Sequence, residues 1–242
     1  MKLSTRLLGG LFILMIAGLL ASVISIKENY DNADKDDFYW GYGKILEEPF
    51  RHIKIEGGNI AQIAFEQYIK PSVRILKQWP GYEKGSVKAF VRADTLFVTF
   101  PNEKVDNAKL QDWMKHATLV RIFSPDVVSI EGVDTKLDLF KLHQKSITIH
   151  LSGRSEMEVE SELSNIDTLR IAEDDSSNVF FEMSPDAAGS KLLRVQSAEL
   201  DIRGASRLDL GLVQMKSFKL NITDSAVIQL SGFSYKNQIS KE

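Results

Sequence analysis

The chain has 242 residues, a net charge of −3, four histidines and no cysteine. Those figures exclude disulfides, thiol catalysis and thiolate metal sites, and they make DNA and RNA poor partners. A hydrophobic content of 43% with 26% charged residues is ordinary for a chain that folds around a core.

The first element is apolar. Leu7 to Ile26 contains no charged residue, and only Gly9, Gly10, Gly18, Ser22 and Ser25 interrupt its aliphatic and aromatic side chains. Twenty residues rising about 1.5 Å each reach ~30 Å, the depth of a bilayer's hydrocarbon layer. Lys2 and Arg6 precede the run, and Lys27, Glu28, Asp31, Asp34, Lys35, Asp36 and Asp37 follow it. Basic residues before a span favour the cytoplasmic side, so the rest of the chain is expected beyond the membrane. A cleaved signal peptide is the competing reading. Its apolar core would be shorter, about 7–15 residues, and small residues would mark the cut. Here Ala21 follows Leu19 at the critical spacing, and Ser22 follows Leu20. A retained anchor over residues 7–26, after a cytoplasmic stub of residues 1–6, fits better. A lipoprotein would need a cysteine.

Residues 27–48 read as an acidic and aromatic tether. Phe38-Tyr39-Trp40-Gly41-Tyr42 is expected to cover one end of a core rather than to sit among lipid headgroups. From Phe50 the pattern becomes period-2, the signature of half-buried strands. Ile53 and Ile55 carry it first, then Ile60 to Phe65, Val73 and Ile75, then Val87, Ala89 and Val91, and Leu96, Val98 and Phe100. Gly57-Gly58, Pro71, Pro80-Gly81, Gly85 and Pro101-Asn102 punctuate them as turns. Asp106 reads as the cap of a short helix carrying Leu110, Trp113, Met114 and Ala117.

The second half recurs. Four stretches, 149–159, 169–181, 200–210 and 220–230, each hold an alternating strand, a corner of Gly, Ser or Asp, and a second alternating strand. Equivalent positions are Met157, Val179, Leu208 and Ile228, spaced by 22, 29 and 20 residues, and Leu193 opens an extra strand in the long interval. In Glu156-Met157-Glu158-Val159-Glu160, Met157 and Val159 point inward; the glutamates, with Glu162 beyond, point to solvent. A recurrence near twenty residues predicts an all-β fold, a β-solenoid (β-helix-like) repeat domain, over residues 49–236, with a polar tail at 237–242. An antiparallel sandwich of hairpins is the alternative.

Several segments carry a family resemblance: Phe50-Arg-His-Ile53-Lys-Ile55; Ala93-Asp94-Thr95-Leu96-Phe97-Val98; Val120 to Gly132, with Pro125 and Ile130; and Ile147-Thr-Ile-His-Leu-Ser-Gly153-Arg-Ser155. Over Phe50 to Leu230 the chain resembles the auto-transporter adhesin head GIN domain family of Bacteroidetes-type envelopes. The resemblance implies a β-solenoid-like domain and a role in adhesion, and it transfers no functional residue. The chain departs from the pattern at Glu131-Gly-Val-Asp134 and at Glu173-Asp174-Asp175-Ser176, where acids stand in for glycine.

Catalytic signatures do not emerge. His52, His116, His143 and His150 form no metal-binding spacing. Ser155 in Gly153-Arg-Ser-Glu-Met157 and Ser206 in Gly204-Ala-Ser-Arg-Leu208 lack the final glycine of a nucleophile elbow, and read as corner residues. Glu173, Asp174 and Asp175 with Ser176 supply oxygen ligands of the kind calcium prefers, without the spacing of a known calcium loop, and read as a solvated acidic corner. The row Glu156, Glu158, Glu160 and Glu162 offers paired carboxylates of the kind a glycosidase uses, and a solvated strand face explains it as well.

The expected protein is a single-pass resident of a bacterial inner membrane with its domain in the periplasm. Secretion or cell-surface display after cleavage is the alternative. It is expected to be non-enzymatic, without metal or cofactor, acting in adhesion, binding or envelope structure on a protein or glycan ligand. A carbohydrate-binding or carbohydrate-active domain is the second expectation.

Overall fold

The structure is a computed structural model; it describes residues 3–31, 37–59, 61–100, 114, 116–159, 166–181 and 193–231. The chain divides into two compact units, Met1–Gly41 and Tyr42–Glu242.

The first unit is built on helix α1, Leu3–Asp31. Within it, Leu7–Glu28 has a mean hydropathy of 2.6, long and apolar enough to cross a membrane by length and composition. Its apolar side chains cover no core: every large one from Leu7 to Ile26 is exposed. After it, Phe38 and Trp40 are also exposed, with Phe38 stacked edge-on against Tyr39. Tyr42, the last residue of that aromatic run and the first of the second unit, packs against that unit's buried cluster.

The second unit carries seventeen strands and one short helix among its described residues. Its first half runs β1 (Tyr42–Leu46), β2 (His52–Glu56), β3 (Gln62–Gln67), β4 (Ser72–Leu76), α2 (Pro80–Glu83), β5 (Lys88–Arg92), β6 (Thr95–Thr99), β7 (Thr118–Ser124), β8 (Ser129–Val133) and β9 (Lys136–Phe140). Then come β10 (Ser146–Ser152), β11 (Glu156–Val159), β12 (Ile166–Glu173), β13 (Asn178–Phe181), β14 (Arg194–Ile202), β15 (Arg207–Asp209), β16 (Gln214–Ile222) and β17 (Val227–Gln229). Nine strands form one sheet in the order β1-β4-β7-β3-β9-β11-β13-β15-β17, and eight form the other in the order β16-β14-β12-β10-β8-β2-β6-β5.

This is a mixed α/β architecture of two large open sheets, each combining parallel and antiparallel pairs. It corrects the all-β solenoid expected from the recurrence. The pairs β1–β4, β4–β7 and β5–β6 are antiparallel. Neither sheet closes, and β4 and β7 stand between β1 and β3 out of chain order. The recurrence spans only the second half of the chain. Period-2 alternation in the first half reads the same whether a strand runs parallel or antiparallel, so direction was not legible there. Ile60 and most of the helix expected after Asp106 lie outside the described residues; Met114 is buried in the core.

In the second half every pair is parallel and in register. Met157 lies beside Val179, Val179 beside Leu208, and Leu208 beside Ile228. The first three are fully buried, and Ile228 packs partly exposed against them. Opposite them, Ile149, Ile171, Leu200 and Leu220 make the matching row of the second sheet.

The corners between the sheets explain the acids that replace glycine. Asp134, Gly153, Asp175, Gly204 and Asp224 all take positive φ, between +51° and +69°. Glycine reaches this region without strain, and aspartate reaches it more readily than most residues. The acids also bond across the stack: Arg154 N–H donates to Asp134 Oδ1 at 2.9 Å, Gly153 N–H to Asp175 Oδ2 at 3.0 Å, and Gly204 N–H to Asp224 Oδ2 at 3.3 Å. Just beyond the corners, Ser155, Ser177 and Ser206 turn inward and are buried. Ser155 Oγ donates to the Ser152 carbonyl at 2.6 Å and Ser177 Oγ to the Asp174 carbonyl at 3.0 Å, so each hydroxyl closes its own turn.

A buried amide ties the loop before β10 to the connection between β7 and β8. Val127 N–H donates to Gln144 Oε1 at 3.1 Å, while Gln144 Nε2 donates to the carbonyls of Val127 and Ser146. Val127 is fully buried, so no water replaces those bonds. Gln144→Leu is expected to lower stability by about 2 kcal/mol, the cost of orphaning buried backbone groups, read as a shift in urea midpoint.

Candidate functional site

The outer face of the eight-stranded sheet carries two straight rows of polar side chains. Parallel register places His52, Ser129, Thr148, Arg170, Glu199 and Lys219 side by side in one row, and Lys54, Glu131, His150, Ala172, Asp201 and Asn221 in the next. Neighbouring strands lie ~4.8 Å apart, so each row is a ladder of functional groups at that interval. The same strands send Ile130, Ile149, Ile171 and Leu200 inward to the core.

Charges alternate along the ladders and pair across strands. Lys54 reaches Glu131 at 3.5 Å, Arg170 reaches Glu199 at 3.3 Å, and Lys219 reaches the same Glu199 at 3.3 Å. His150 Nε2 lies 3.0 Å from Asp174, and His52 Nδ1 lies 2.8 Å from the Ser129 hydroxyl. Arg203 and Asn221 both donate to Asp201. The Lys219 hydrogen bond, helped by Arg170, holds the Glu199 carboxyl below its usual range, and the Arg203 hydrogen bond does the same for Asp201.

The second row is broken at Ala172. Its methyl group stands between His150 and Asp201, where the neighbouring strands carry longer side chains. The gap is a shallow groove of about 360 Å³, edged by Glu131, Thr148, His150, Arg170, Glu199 and Asp201. Its donors and acceptors come from regular strands, so their spacing is fixed by the sheet. A larger, more polar cleft of about 570 Å³ lies past the ends of β2, β6 and β8, edged by Lys54, Glu56, Asn59, Phe100, Asp134 and Arg154.

The acidic corner does not form a calcium cage. Glu173 turns into the interior between Leu151 and Ile202, Asp174 faces His150, and Asp175 accepts the Gly153 amide. Three consecutive carboxylates thus diverge. Among the described residues no three His, Asp or Glu side chains gather to hold a metal ion. Glu156 and Glu158 lie on the outer face of the nine-stranded sheet; Glu156 pairs with Lys136 at 2.9 Å, which raises the lysine's pKa. Glu160 and Glu162 lie outside the described residues. His116 and His143 are exposed and belong to neither groove.

Sequence reasoning did not single out the charged cluster on the outer face of the nine-stranded sheet. There Glu66, nearly buried, meets Lys141 at 2.8 Å and Arg121 at 3.9 Å. Arg121 lies over the Tyr42 ring and Arg74 over Phe123. Gln62 donates to Asp138 at 2.6 Å, and burial raises the Asp138 pKa. Acids within otherwise apolar strands, Glu66 and Asp138, were the available signal.

No protein-family profile matches the chain, and no curated protein matches it. Solved structures do. A candidate adhesin from Bacteroides fragilis is similar over 78% of this chain and 95% of its own, at 16% identity and a TM-score of 0.53. At that identity the likeness is one of fold. A candidate lipid-binding protein from Parabacteroides distasonis matches 78% of this chain and 95% of its own at 12% identity, with a TM-score of 0.41. A candidate adhesin from Parabacteroides merdae matches 78% and 94% at 14% identity, with a TM-score of 0.38. The last two scores are too low to bear on the fold of this chain.

Proposed function

We propose that this chain is a membrane-anchored, extracytoplasmic binding module of the adhesin type, non-enzymatic, which grips a protein or glycan ligand on the outer face of its eight-stranded sheet. The ladder of alternating charges broken at Ala172 carries this reading. A polar ligand laid across the strands meets a donor or acceptor at every strand interval, and the gap admits one protruding group. Helix α1 supplies the anchor, retained in the bacterial inner membrane with the domain on the periplasmic side. The resemblance to the head GIN domain family and the fold shared with the B. fragilis protein point the same way.

Two carboxylates of the groove, Glu199 and Asp201, do not suit the acid role in a glycosidase. Such an enzyme needs one carboxylic acid kept protonated to donate to the leaving group. Glu199 and Asp201 are held ionised by the cations beside them. Among the described residues no Phe, Tyr or Trp side chain edges the groove.

The test is an array of glycans and matrix proteins probed with the full chain in detergent micelles, beside an Ala172→Trp variant that fills the gap. Saturable binding lost tenfold or more in Ala172→Trp, with the fold retained by circular dichroism, is the expected result. Binding unchanged by the tryptophan would move the site elsewhere, and turnover of a bound glycan would overturn the non-enzymatic reading.

A further inference from the structure

The row that holds the Ala172 gap ends in aromatic rings. Register carries it from Glu131 to Lys54, then to Phe97 on β6 and Phe90 on β5. The two rings stack, with centroids 5.1 Å apart and planes 10° from parallel. Strand β5 is the outermost of its sheet, so Phe97 covers one face of the Phe90 ring and the other face points past the sheet edge. Phe90 is 49% exposed. Lys88 and Arg92 flank it on the same side of the strand, both exposed, and among the described residues neither side chain makes an ion pair or hydrogen bond. Strands β5 and β6 contain no acidic residue; the acids at their margins are Asp94, in the turn between them, and Glu56, beside Thr99. Charged side chains alone protect a sheet edge, and a half-exposed phenylalanine set between them works against that purpose.

We propose that Phe90, Lys88 and Arg92 form a subsite for a carboxylated sugar ring, which makes the ligand of this face an acidic glycan. The inference rests on the reading of the outer face as the binding face and names the class of ligand. The C–H face of a pyranose ring is apolar and lies against the open face of Phe90 as a further layer of the stack. The ring's carboxylate pairs with the Arg92 guanidinium, a planar fork of donors that matches it, and Lys88 receives the carboxylate of a neighbouring ring. Thr95 and Thr99, in register with Arg92 and Lys88, offer hydroxyls to those of the sugar. The whole chain carries a net charge of −3, so the attraction is local to this corner and is screened by salt. Phe90 and Ala172 stand five strand intervals apart, about 24 Å, so an extended glycan occupies both and a short one only one of them.

The test is isothermal titration calorimetry on the full chain in detergent micelles. The probes are short oligosaccharides of galacturonic acid and of hyaluronan, their methyl esters, and single-stranded oligo(dT). The expected result is binding of at least one acid oligosaccharide, with its ester bound more weakly. Phe90→Ala is expected to weaken that binding about tenfold, the factor lost with an ordinary ring contact, and Phe90→Tyr to keep it. The double variant Lys88→Gln, Arg92→Gln is expected to erase the preference for acid over ester. It alters only exposed side chains, so it decides the question should Phe90→Ala fail to fold. Binding of neither acid, equal binding of acid and ester, tighter binding of oligo(dT), or Phe90→Ala and the double variant both matching wild type overturns the proposal. Ala172→Trp separates the two readings. Loss of binding in Ala172→Trp alone overturns this subsite and leaves the groove standing, whereas loss in the Phe90 and charge variants alone supports the subsite and removes the groove.

Discussion

Replacing Glu173 with leucine is expected to stabilise the protein by about 3 kcal/mol at pH 7 and to remove most of its pH dependence between pH 5 and 9. Glu173 is fully buried, and neither carboxyl oxygen has a hydrogen-bond partner. Its neighbours in register are Leu151 and Ile202. Burial alone, with no compensating charge, raises its pKa from 4.5 to about 9. Unfolded chains release this proton near pH 4.5, while the folded protein keeps it until about pH 9. Between those values the unfolded state binds fewer protons, so stability falls as pH rises. The contribution is intact below pH 4.5 and lost by pH 9. Each pH unit crossed costs about 1.4 kcal/mol, which sets the figure at pH 7. Urea unfolding of wild type, Glu173→Leu and Glu173→Gln at pH 5, 7 and 9 measures it. Glutamine is expected to flatten the pH slope without the full gain, because its amide is also left unbonded. A wild-type stability that rises from pH 5 to 8 while that of Glu173→Leu stays level would contradict the assignment.

Gly204→Ala is expected to cost about 3 kcal/mol, against about 1 kcal/mol for Gly85→Ala. Both glycines have positive φ, +69° at Gly204 and +61° at Gly85. They differ in surroundings. A Cβ at Gly204 would stand 2.5 Å from the Asp175 carbonyl oxygen and 2.9 Å from its amide nitrogen, both backbone atoms of the neighbouring corner. One at Gly85 would meet nothing within 4 Å. The first substitution must push adjacent corners apart; the second bears only the strain of the left-handed region. Thermal midpoints of the two variants, measured side by side, separate crowding from backbone strain. Equal losses would show that the corners are not tightly stacked.

The inward rows were legible residue by residue. Alternation at Met157, Val179, Leu208 and Ile228 named side chains that do lie side by side, because period 2 is a local consequence of the extended backbone. The serine corners were legible for the same reason: Ser155 and Ser206 bond within their own turn or to the corner beside it. The acidic corner was legible only in part. Glu173, Asp174 and Asp175 are adjacent in sequence, but successive residues at a strand end face opposite ways, so the three never meet. The groove at Ala172 left no mark, since a single alanine on a polar strand face is unremarkable until the neighbouring strands supply His150 and Asp201.

From the order of its residues alone, this protein had a helix able to cross a bilayer, a chain without thiol chemistry, and strands whose buried positions could be counted. These follow from local rules, apolar run length and side-chain alternation, which act within a few residues. The tertiary structure decided which strands pair, in which direction and in what order. It also decided that two open mixed sheets form where a uniform coil of repeats was expected. Strand direction and partner are set by contacts between residues far apart in the chain, and alternation is blind to both.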